Sequence, residues 1–274
     1  MRAASSRPPG VLSGVLVMVW LCGAIPAQAA FEIDPIGPDE RGCAMELALG
    51  PRHTPGRGDS VACRTLSVYG FKPFGTSEIT FAAVSASLPV GADGRVLTLS
   101  YERLEALAYR EEVYSAAFGF GLERAFIQPE IRLGTARSEA GFADWAILPG
   151  ISVTTGICEG LEFAAEAENP FGLGLLKEGS PSPQQLAIGL GLRVTPDVTC
   201  GFELVKPARF PTCVASGLEW RPSKSIALRA GLRTYPKEFC FGVGFGKGPI
   251  AVDVASSSNL ELGVTNEAGV TFSW

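Results

Sequence analysis

The chain has 274 residues, a formal net charge of −5, a hydrophobic content of 46% and only 19% charged residues. With 33 glycines, 20 prolines and one histidine, it is too apolar for a disordered protein and too rich in turn residues for a long-helix one. Its acidic balance, with Lys and Arg scattered one or two per segment, excludes nucleic acid as a partner, because phosphates need a basic patch.

The N-terminus reads as a targeting segment. Arg2 and Arg7 precede an apolar run from Val11 to Leu21, and Ala27-Gln28-Ala29 supplies small residues for cleavage. This pattern predicts a cleaved signal peptide over residues 1–30, and therefore export. The apolar core is too short for a membrane-spanning helix, and no later run approaches about 18 uninterrupted apolar residues.

Residues 31–62 carry Pro35, Pro38, Pro51 and Pro55 without a clear period. They are expected to form an irregular segment, either a plug or a periplasmic piece. Export permits disulfides; Cys43 and Cys63 lie close together in this region and are the expected pair. The other cysteines read as small buried hydrophobes. With no C-x-x-C spacing and a single His, no metal site is expected.

From residue 63 to 274 the texture changes to a period of two, broken by turn residues every 10–15 positions. "RTLSVYGFK", "SEITFAAVSASLPV" and "VLTLSYERL" open a series of 14 candidate strands that ends on "ELGVTNEAGVTFSW". Regular short strands separated by turn signals predict an all-β sandwich or barrel.

The two faces of each strand decide between these. From Gln185 to Val194, Leu186, Ile188, Leu190, Leu192 and Val194 share one side, while Ala187, Gly189, Gly191 and Arg193 share the other. Phe239, Phe241, Val243 and Phe245 likewise oppose Cys240, Gly242, Gly244 and Gly246. A soluble sandwich would cover its outer face with Lys, Thr and Glu rather than Gly and Ala. An apolar outside with a small or charged inside fits an antiparallel transmembrane β-barrel, where lipid is the outer solvent and every backbone group must be paired. Strands of about 9–11 residues cross a bilayer, and an even strand number suits bacterial barrels. Tyr101, Tyr114, Trp145, Trp220, Tyr235 and Trp274 are expected near strand ends, as an interfacial girdle.

The stretches "YERLEALAYREEVYSAAFGFGLE" and "AENPFG" and the series from Gly217 to Trp274 resemble the PorV/PorQ-type outer-membrane proteins, relatives of the FadL-type fatty-acid transporters. The resemblance spans roughly Val68 to Trp274. It implies residence in the bacterial outer membrane and either transport of hydrophobic or small solutes or service in a secretion apparatus, with a secreted protein cargo or a hydrophobic small molecule as partner. It also implies that Phe272 and Trp274 are read by the outer-membrane assembly machinery. One departure stands out: family members usually carry an Asn-Pro-Ala-Gly motif in an N-terminal plug segment. Residues 31–62 lack it, and Asn169-Pro170-Phe171 lies in a later loop.

Enzyme chemistry finds no support. His53 sits in the loop-like "GPRHTPGRG", and the glycine-rich stretches lack the strand-to-helix context of a phosphate cradle. No catalytic, cofactor or metal site is expected. The polar candidates are the residues assigned to the lumen: Glu102, Glu130, Arg132, Glu162, Glu166, Glu168, Arg193, Glu203, Glu219, Arg229, Arg233, Asp253 and Glu267. They read as acid–base pairs that satisfy a narrow interior, with a solute-screening lumen as the functional alternative. The stretch "NPFGLGLLKEGSPSPQ" is the longest irregular connection and is read as an external loop. A secreted soluble β-sandwich without channel activity is the rival to the whole scheme.

Overall fold

The computed structural model describes residues 64–274, apart from 92, 124, 140, 142, 173–183 and 260–261. The expected signal peptide, the 31–62 segment and the expected Cys43–Cys63 pair lie outside the described residues, as does most of the long loop.

Fourteen strands follow in order: β1 (Thr65–Lys72), β2 (Ile79–Val90), β3 (Arg95–Ala106), β4 (Tyr109–Leu122), β5 (Ala125–Ser138), β6 (Ala143–Cys158), β7 (Leu161–Glu168), β8 (Gln185–Thr195), β9 (Val198–Pro207), β10 (Cys213–Ser223), β11 (Ile226–Thr234), β12 (Lys237–Lys247), β13 (Ile250–Asn259) and β14 (Gly263–Ser273). Each pairs antiparallel with its sequence neighbours, and β1 pairs with β14, so the sheet closes on itself. This is a transmembrane barrel rather than a two-sheet sandwich.

Closure explains the strand character at the C-terminus. The Arg64 N–H donates to the Trp274 carbonyl at 3.1 Å, and the Trp274 N–H donates to the Arg64 carbonyl at 3.0 Å. The ladder continues from Thr65↔Ser273 to Lys72↔Asn266. A ragged terminus would leave this seam as an unpaired edge, and lipid offers no hydrogen bonds in exchange.

Followed once around the barrel, the register slips by roughly 14 residues. Strands therefore tilt by about 35° and stand roughly 13 Å from the barrel axis. At the end that carries Arg64 and Trp274 the connections are short: 91–94, 123–124, 159–160, 196–197, 224–225 and 248–249. At the opposite end they include 73–78, 208–212 and the long 169–184. Short periplasmic turns and longer external loops are the rule in outer-membrane barrels, which makes the end with Arg64 and Trp274 the periplasmic one. Gly160 and Gly248 occupy such turns at φ +80° and +61°, conformations that a residue with a Cβ rarely adopts.

The outward face is apolar throughout the middle of the barrel. Phe241 is 67% exposed and Ile131 61%, joined by Leu190, Phe202, Leu228, Val254 and Val270. In water so continuous an apolar surface would be an aggregation site; in hydrocarbon it is the required exterior. The aromatic positions differ in part from the girdle read in the sequence. Trp220, Phe272 and Trp274 lie toward the periplasmic end, and Trp145 and Tyr235 toward the other. Tyr101 and Tyr114 instead sit inside β3 and β4, with ring centroids 5.0 Å apart. The reason is that the β3–β4 hairpin continues past them to a two-residue turn at 107–108. Its outer face beyond the tyrosines is charged: Tyr101 Oη donates to Glu112 Oε1 at 3.0 Å, and Glu105 pairs with Arg103 and with Arg110. The tyrosines therefore mark the apolar-to-polar boundary, and the hairpin rises above it into water.

Candidate functional site

The candidate site is the barrel interior, and its side chains follow from the pleat. Odd residues of β1, β2 and β4 and even residues of β3, β5, β6 and β7 point inward, which the burial of Ser67, Ser85, Glu102, Glu111 and Ala164 records. Of the residues assigned to the lumen, Glu102, Glu203, Glu219, Arg229 and Glu267 are buried. Glu130, Arg132, Glu162, Glu166, Glu168, Arg233 and Asp253 are half-buried, and Arg193 is exposed near the periplasmic rim.

Two ion clusters gather several of them. In the first, Arg229 Nε donates to Glu219 Oε2 at 2.8 Å and Arg229 Nη1 to Asp253 Oδ1 at 2.5 Å. The other oxygen of Glu219 accepts from Arg221 Nε at 2.7 Å. Glu219 on β10 is the direct cross-strand partner of Arg229 on β11, but Asp253 lies two strands from Arg229, beyond β12. The residues of β12 opposite Arg229 and Asp253 are Gly242 and Gly244. A Cβ added at Gly244 would meet Asp253 Oδ1 at 2.3 Å and the Arg229 guanidinium at 3.3 Å. Glycine on β12 thus leaves the trough through which arginine reaches over a whole strand.

The second cluster repeats the device. Arg132 on β5 pairs with Glu130 at 3.1 Å and, across β6, with Glu168; Glu166 lies 4.0 Å away. The β6 residue opposite both Glu130 and Glu168 is Gly150. Charges taken from water need such partners, since an unpaired one costs several kcal/mol. The remaining lumen candidates, Glu102, Glu162, Arg193, Glu203, Arg233 and Glu267, stand elsewhere on the wall.

The β1–β4 wall has a different character. Tyr69, Phe81, Ala83 and Leu104 form a buried inward cluster, with Phe71, Ile79 and Tyr109 packed against it. Phe71 stacks on Phe81 at 4.7 Å. At its margin Tyr109 Oη donates to Glu111 Oε2 at 3.2 Å. Toward the periplasm this wall turns hydroxylated, with Ser67 Oγ 2.9 Å from Thr271 Oγ1 and Ser87 Oγ 3.1 Å from Thr98 Oγ1. Sequence reasoning missed the aromatic cluster and Glu111. The only signal was a bulky side chain at Tyr69, Phe71 and Phe81, where other strands place Gly, Ala or Glu. Among the described residues acids outnumber bases on the inward face by about two to one, so the interior is net negative.

The long loop leaves the barrel through a closed neck. Asn169 is fully buried; its N–H donates to the Pro149 carbonyl at 2.6 Å, and its carbonyl accepts from Gln184 Nε2 at 3.3 Å. Among the described residues no group of His, Cys, Asp and Glu could hold a metal ion.

No family model matches the chain, and no curated protein matches it. Similarity appears among solved structures. The toluene transporter TodX of Pseudomonas putida aligns with a TM-score of 0.59 at 10% identity, covering 79% of this chain and 90% of that one. A TodX deltaS2S3 mutant, described as a monoaromatic hydrocarbon channel, aligns with a TM-score of 0.56 at 9% identity, over 77% of this chain and 89% of that one. The KdgM porin covers 77% of this chain at a TM-score of 0.44, too loose a likeness to add weight. At such identities the likeness is one of fold: the chain shares the closed antiparallel barrel architecture of outer-membrane proteins. The narrower PorV/PorQ resemblance has no counterpart among these comparisons.

Proposed function

We propose that the protein is a passive channel of the bacterial outer membrane for small neutral or cationic solutes with an apolar part, and that it rejects anions. The observation that carries this reading is the mixed interior: a net-acidic lining that includes Glu102 and Glu267, with an aromatic cluster on β1–β4. An acid-lined pore of low dielectric raises the local concentration of cations and repels anions. The aromatic wall offers a surface on which the apolar part of a solute slides without giving up its contacts.

The test is ion conductance of the purified protein in a planar bilayer under a KCl gradient. A reversal potential on the cation-selective side is expected, diminished in a Glu102→Gln/Glu267→Gln variant. Anion selectivity in the wild type would sink the reading. The secretion role implied by the PorV/PorQ resemblance has the opposite signature: a co-purifying exported protein and no conductance.

A further inference from the structure

On the outward face of the barrel, Arg110 on β4 stands directly opposite Arg137 on β5. Residues paired in this way lie about 4.5–5.5 Å apart at Cα, and like charges there repel. Arg110 Nη2 lies 2.9 Å from Glu105 Oε1, the same oxygen that Arg103 takes. Glu112, the cross-strand partner of Arg103, accepts a hydrogen bond from Tyr101. Arg137 is exposed and has no ion-pair partner among the described residues. Arg103 Nε is buried and without a hydrogen-bond partner. The patch is short of anions.

The shortage extends around the external end. Lys72, Lys206 and Lys237 also point outward from strand ends there, with no further outward acid on the described strands. This is the reverse of the interior, where acids prevail. Directly below the arginines the same face turns greasy, with Leu99, Phe118, Ile131 and Leu133 exposed. Tyr101 and Tyr114 mark the change between the two. From the strand rise and tilt, the three arginines stand roughly 5–15 Å above those tyrosines. An occupant that suits both parts carries hydrocarbon chains below and several phosphates spread through a tall headgroup. A guanidinium meets a phosphate with two parallel hydrogen bonds, and an anion between Arg110 and Arg137 removes their repulsion.

We propose that the outward face of β3–β5 seats a phosphorylated glycolipid of the outer leaflet, of the lipid A type. Arg103, Arg110 and Arg137 hold its phosphates, and Leu99, Phe118, Ile131 and Leu133 line its acyl chains. Free phosphate would meet only the upper half of this surface. The proposal rests on the β3–β4 turn lying at the external end, and not on which solute the barrel carries.

The test is native mass spectrometry of the full mature chain, folded in detergent and titrated with diphosphorylated lipid A. One retained lipid per barrel is expected. Affinity should fall at least about tenfold in Arg103→Gln/Arg110→Gln/Arg137→Gln, with the barrel intact by its heat-modifiable gel mobility. Lys72→Gln/Lys206→Gln/Lys237→Gln removes as much charge from the same end and should change affinity less than about threefold. Arg137→Gln alone breaks no ion pair of the described barrel, so it serves if the triple variant fails to fold; a loss of about threefold or more is expected. Equal binding by wild type and both arginine variants, or an equal loss in the lysine variant, would overturn the proposal. So would equal retention of dephosphorylated lipid A, or release of the bound lipid by equimolar inorganic phosphate.

Discussion

Arg229 and Asp253 meet at 2.5 Å although an entire strand lies between them. The contact exists because Gly242 and Gly244 give β12 no side chain on the inward face there. Glycine, which weakens an isolated strand, here makes room for a charge pair that ties β10, β11 and β13 together.

Arg229→Leu should therefore be costly, leaving the buried Glu219 with Arg221 alone and the half-buried Asp253 without the Arg229 cation. The expected loss is about 3–5 kcal/mol, read by urea unfolding of the protein in lipid vesicles. A triple Arg229→Leu/Glu219→Leu/Asp253→Leu variant should recover much of it, because the uncompensated charges are then gone. Equal stability of Arg229→Leu and the wild type would mean that the cluster is solvated rather than buried.

Gly244→Ala tests the trough itself. Its Cβ would stand 2.3 Å from Asp253 Oδ1 and must push the carboxylate off Arg229. The same unfolding assay should show a loss of about 1–3 kcal/mol. Gly246→Ser, two residues on along the same face, has nothing within 4 Å and should stay within about 0.5 kcal/mol of the wild type.

On the other face, Leu190→Arg places a guanidinium on an exterior position that is 42% exposed. Near mid-bilayer this should cost about 2–4 kcal/mol. Insensitivity to the substitution would place β8 with its leucines away from lipid.

At the seam, Phe272 stacks on Trp274 at 5.4 Å, and Trp274 shares both backbone hydrogen bonds with Arg64. Deleting Trp274 removes the last rung of closure. Most of the chain should then lose the heat-modifiable gel mobility of a folded barrel, whereas Phe272→Ala should reduce the folded fraction without abolishing it.

Much of the architecture was legible because two solvents act on alternate residues. Where one face must be greasy and the other small or charged, as in Gln185–Thr195, period two reports strand, face and barrel together. The device that joins Arg132 to Glu168 was half legible: inward glycines signalled room for long side chains, but the skipped strand depends on register, which the sequence does not carry. The β1–β4 wall was not legible. Tyr69, Phe71 and Phe81 point inward while Leu66, Val68 and Val84 point out, so both faces are apolar and alternation loses its meaning. Tyr101 and Tyr114 were placed near strand ends because the charged run beyond them resembles a loop, yet it is a water-exposed extension of the hairpin.

The most direct measurement is a nitroxide scan along β8, residues 186 to 194, in lipid vesicles with the native cysteines replaced. Collision rates with dissolved oxygen should peak at 186, 188, 190 and 192, facing hydrocarbon, and fall at 187, 189, 191 and 193, facing an enclosed interior. A flat profile, or one with its maxima at the glycine positions, would contradict the placement of every strand in the barrel.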